Sequence, residues 1–82
     1  MDNFRELLNK HHEWPCEYVF KFIVPIGKES DVTALFPSAK ISIKPSAKGN
    51  YVSITVIQTV TSADAVIEAQ HRAAKIEGLI SL

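Results

Sequence analysis

The chain of 82 residues and 9.1 kDa has room for one small domain, and a chain of this size buries only about 60–65% of its unfolded surface. Its 46% hydrophobic and 22% charged residues are the proportions of a folded globular domain, which excludes a disordered tail or a charged low-complexity segment. Nine Lys+Arg against nine Asp+Glu leave a formal net charge of zero, so no global field draws in nucleic acid or an anionic membrane.

Residues 1–15 read as a lead-in to a domain over 16–82. Phe4, Leu7 and Leu8 have the i, i+3, i+4 spacing of a short amphipathic turn, and Pro15 ends it. Isolated, so short a helix is marginal in water, so it docks or frays. Asp2, Arg5, Glu6, Lys10 and Glu13 break up this segment, so no secretory signal is expected. No apolar run approaches the ~20 residues that span a bilayer. The single cysteine, Cys16, closes no internal disulfide, which fits a reducing compartment. A cytoplasmic protein is the expectation.

Residues 16–25 are aromatic and β-branched and read as a strand, with Tyr18, Phe20, Phe22 and Val24 on the core face and Val19, Lys21 and Ile23 opposite. Pro25 and Gly27 break it. Residues 28–36 form a short helix with Val32, Leu35 and Phe36 on one side, stopped by Pro37. Two alternating runs, 39–47 and 51–60, flank the Gly49-Asn50 turn and read as a β-hairpin. Ile41 and Ile43 share one face of the first run, and Val52, Ile54 and Val56 oppose Ser53, Thr55 and Ile57 in the second. Pro45 lacks an N–H and places its strand at an edge. Residues 62–75 form a helix capped by Ser62, with Ala63, Val66, Ile67, Gln70, Ala73 and Ala74 inward. Gly78 turns the chain into a last short strand, 79–82.

The order β-α-β-β-α-β closes, with right-handed crossovers, as an α+β ferredoxin-like two-layer sandwich. Two helices cover one face of a four-stranded antiparallel sheet. The strands at 16–25 and 51–60 are central, and those at 39–47 and 79–82 lie at the edges.

The run Lys44-Pro45-Ser46-Ala47-Lys48-Gly49-Asn50-Tyr51, followed by Val52-Ser53-Ile54-Thr55-Val56, resembles the KPSSKGNYxSVSITI signature of the YbeD-like family of small bacterial proteins. Trp14-Pro15-Cys16-Glu17-Tyr18-Val19-Phe20-Lys21 is similar to that family's FPxxYxxKV opening, and Lys75-Ile76-Glu77 to its ending. The likeness spans most of residues 14–82. It implies a ferredoxin-like fold related to the ACT domains, which are small-molecule-sensing regulatory modules, and it implies no activity. One departure stands out: the family's first domain helix is longer, whereas here only about two and a half turns fit. The lead-in residues Phe4, Leu7 and Leu8 are expected to cover the sheet this leaves bare.

Each constellation has a functional and a plainer reading. The lysines Lys40, Lys44 and Lys48 around Gly49 and Asn50 suit an anion cradle built on turn amides. They equally suit an edge strand guarded against aggregation, with Gly49 and Asn50 serving the turn. Gly27 resembles the loop glycine that lets the ACT backbone approach a bound amino acid, or simply supplies a strand-to-helix turn. His11, His12, Glu13 and Cys16 are metal-competent, yet adjacent histidines define no tetrahedral set. No nucleophile–base or metalloprotease pattern is present, so neither a catalytic residue nor a cofactor is expected. An RNA-recognition reading of the same topology needs aromatics on the outward strand positions. Only Tyr51 among them fits.

The expected function is a non-catalytic binding or regulatory module acting through its outward sheet face and the KPSAKGN hairpin. Its candidate residues are Lys44, Lys48, Gly49, Asn50 and Tyr51, with Gly27 second. A protein partner, a small-molecule ligand or a homodimeric mate is the expected occupant. Nucleic-acid binding through the hairpin lysines and Tyr51 is the alternative.

Overall fold

The computed structural model describes residues 2–45 and 49–82. Strands β1 (Cys16–Pro25) and β3 (Tyr51–Val60) follow the two longest runs of alternating or β-branched sequence. They pair antiparallel along their whole length, from Cys16 opposite Val60 to Pro25 opposite Tyr51. β2 (Lys40–Pro45) flanks β3, and the two-residue β4 (Ile80–Ser81) flanks β1 at Phe22 and Ile23. The sheet order β2-β3-β1-β4, with α2 (Glu29–Leu35) and α3 (Ala63–Ala73) as crossovers, is the ferredoxin-like sandwich. The expected strand at 39–47 is observed over Lys40–Pro45, its last positions lying outside the described residues.

Because the strand period is two, pairing fixes which side each residue faces. Phe20, Phe22 and Val24 of β1 join Val52, Ile54, Val56 and Val60 of β3 in the core, under Val32 and Phe36 from the α2 side and Ala63, Val66, Ile67 and Ala73 from α3. Aromatic contacts run from Tyr18 to Phe20 (4.8 Å between centroids) and on to Phe36 (5.2 Å). The Ser62 hydroxyl accepts from the Ala65 N–H at 3.1 Å, the expected N-cap. Ala74, expected to face inward, is exposed because α3 has ended and this residue is its C-cap.

At ~1.5 Å per residue, the seven residues of α2 reach about 10 Å, against about 33 Å for a ten-residue strand. Ile43 shows the cost of this shortness. The register puts it on the core side, opposite Ile54, yet it is 45% exposed at the sheet edge.

The lead-in is a full helix, α1 (Asp2–His11). Leu8 enters the core, but Phe4 and Leu7 stay exposed, so only one of the three expected covering residues covers anything. α1 packs on α3, with Arg5 paired to Asp64 at 2.7 Å, and supplies no lining to the gap between α2 and α3. Trp14, before a cis Pro15, donates its indole N–H to Asn9 at 2.8 Å and ties the segment down. Leu8→Ala should therefore cost about 2–3 kcal/mol in urea unfolding, while Phe4→Ser and Leu7→Ser stay within about 0.5 kcal/mol. Equal midpoints for all three variants would show that α1 is not part of the folded unit.

Candidate functional site

Two loops meet at one end of the sheet. The Ile26 N–H donates to the Asn50 carbonyl at 3.1 Å, directly beyond the Pro25–Tyr51 pair. This sets the loop that carries Gly27 beside Asn50. Lys44, opposite Ser53, shares the outward face with Tyr51, which is 44% exposed. Lys48 lies outside the described residues. Lys40 is not part of this cluster: it sits opposite Ile57, four residues and about 13 Å along β2 from Lys44.

Gly27 and Gly49 both have positive φ, +99° and +73°, as turns at these positions require. The Gly27 N–H donates to the Glu29 carboxylate, and the Lys28 N–H closes the turn onto the Pro25 carbonyl. A ligand seeking the Gly27 amide would first have to displace this internal acceptor.

The outward face is graded from edge to edge. In register, Lys40, Ile57 and Val19 form one row; Ser42, Thr55 and Lys21 form the next, and Lys44, Ser53, Ile23 and Ile80 a third. The Leu82 N–H donates to the Lys21 carbonyl at 2.9 Å, extending the apolar side past Ile80. β2 thus presents a lysine rail, β3 a mainly polar strip, and β1 with the C-terminal residues an apolar margin interrupted by Lys21. Val19 is 48%, Ile80 53% and Leu82 70% exposed. Among the described residues this face carries Lys21, Lys40 and Lys44 against Glu17. On the helices, Glu6, Glu29, Asp31, Asp64 and Glu68 outnumber Arg5, Lys10 and Arg72. A net charge of zero conceals this separation. Ile80 and Leu82 give no signal in the sequence because the last strand's register decides its face, and a four-residue run that is apolar at 79, 80 and 82 carries no register.

His12 and Cys16 come together, Nδ1 to Sγ 3.6 Å, with the imidazole stacked 5.5 Å from Trp14. No third metal-competent side chain completes a set among the described residues. The imidazole acts as packing between the lead-in and β1. No described helix is long and apolar enough to cross a membrane.

Residues 9–80 match the family described as "Protein of unknown function (DUF493)". No curated protein and no solved structure matches the chain. With nearly its whole length inside that match, the chain belongs to the DUF493 family.

Proposed function

We propose that this is a non-catalytic regulatory binding module, ACT-like in architecture and of the YbeD-like kind, whose outward sheet face and hairpin engage a protein partner. The observation that supports this reading most is the graded face. A lysine rail on one side and exposed Val19, Ile80 and Leu82 on the other suit a surface that is acidic on one side and apolar on the other. Nucleic acid is the poorer fit, because stacking needs several aromatics and Tyr51 is the one this face supplies. Self-pairing of the face about an axis across the strands would set lysine against lysine.

The test is affinity capture from the source cell, comparing the wild type with a Lys44→Glu/Lys48→Glu variant and with Val19→Asp. A protein recovered by the wild type and lost from both variants is the expected result. Loss from the lysine variant alone, with nuclease-sensitive material in the wild-type capture, would transfer the reading to nucleic acid. Identical recoveries from all three baits would remove its basis.

A further inference from the structure

We propose that the cleft between α2 and α3 is a second binding site, separate from the sheet face, for a small uncharged molecule carrying an amide-type donor–acceptor edge on an apolar body. The cleft has a volume of about 190 Å³, the space of roughly six waters. It exists because α2 is too short to close over β3 and because α3 turns two alanines, Ala65 and Ala69, toward the gap. Leu35 and Phe36 form the facing wall.

Its floor holds the anomaly. Along the core-facing positions of β3 the residues run Val52, Ile54, Val56, Gln58 and Val60. Gln58, opposite Tyr18, breaks an otherwise apolar series at a position where alternation calls for a hydrophobe. Its side chain is half-buried, and its carboxamide makes no hydrogen bond to another described residue. A carboxamide offers donor and acceptor in one plane, and this one, without a protein partner and with both polar atoms open to the cleft, is free to pair with a ligand. Local violations of pattern of this kind are where function concentrates.

The rim sets the ligand's charge. Arg72 is paired with Glu68 one turn away on α3 through one Nη2–Oε1 contact, so the rim carries no net charge. A carboxylate drawn to Arg72 would meet Glu68 beside it, and an ammonium drawn to Glu68 would meet Arg72. A neutral molecule pays neither penalty.

The test is a nuclear magnetic resonance titration of the full chain with benzamide, benzoate and benzylammonium, reading the Gln58 side-chain NH₂ and the Ala65 and Ala69 methyl signals. Benzamide should give saturable shifts with millimolar affinity, as its few atoms allow. The two charged analogues should bind about tenfold more weakly. Gln58→Leu should lose about tenfold in benzamide affinity while the remote methyl signals stay in place. Ala69→Leu, which fills the cleft from the opposite wall, should abolish the shifts and serves if the first variant does not fold. Equal binding of the three probes, undiminished affinity in the variants, or no saturable shift with benzamide would overturn the proposal. None of these results bears on the sheet face.

Discussion

Phe36→Ala is expected to destabilise the chain by about 3–5 kcal/mol, the range for truncating a buried aromatic. Phe36 is 2% exposed, and its ring lies 5.2 Å from Phe20 and 6.0 Å from Phe22. With Val32 it is one of the two buried anchors of the short α2 segment. Seven residues lie well below the length at which a helix holds itself together in water, so α2 persists because these side chains fasten it to the sheet. A chain of this size has roughly 4–12 kcal/mol of stability in total. The loss is therefore a large fraction of the whole, and amide exchange across Glu29–Leu35 should accelerate before global unfolding does. Urea denaturation gives the first quantity and hydrogen exchange the second. A loss below about 1 kcal/mol would mean that α2 is held by something other than this ring.

The second large effect is expected at Gly78. Its φ is +80°, and a Cβ built there would lie 2.7 Å from Cγ and 3.1 Å from Cδ of Pro25. That proline cannot swing away: its ring is rigid and its backbone sits in β1 opposite Tyr51. Gly78→Ala therefore combines the cost of a left-handed backbone, about 1–2 kcal/mol, with displacement of a strand end that also positions the Gly27 loop. A total of about 2–4 kcal/mol is expected, or a fall in Tm of roughly 10–25 °C. Gly49→Ala is the control. Its φ is +73° with nothing within 4 Å of the added Cβ, so only the backbone cost of about 1–2 kcal/mol applies. Similar losses in the two variants, followed by circular dichroism on heating, would show that the Pro25 contact carries no weight.

What could be read from the residues follows the range of the interactions involved. Strands β1 and β3 were legible because alternation, β-branching and the turn residues at Gly49 and Asn50 are local properties. The Ser62 cap was legible for the same reason. The full length of α1 was not, since it depends on Leu8 reaching the core and Arg5 meeting Asp64, contacts made across more than fifty positions of sequence. Gly78 looked like an ordinary turn glycine; only the folded chain brings it onto Pro25. Within the candidate site, Lys44 and Tyr51 share the outward face near the hairpin end, and the Ile26–Asn50 hydrogen bond sets the Gly27 loop beside that end, a neighbourhood that no local pattern announces. Lys40 lies away from that end, because rise along a strand separates residues that a sequence motif shows side by side. Gln58 prompted no expectation, as its significance appears only once the helices above it leave a gap.

The division of charge between the two layers reaches beyond any single contact. The molecule measures 38 × 23 × 20 Å, and at physiological ionic strength an electrostatic potential decays over about 8 Å. An approaching body near the sheet thus senses the lysines and hardly registers the carboxylates behind them. Electrophoretic mobility, averaged over tumbling, reports a neutral particle, while an oriented encounter meets a cation on one flank and an anion on the other.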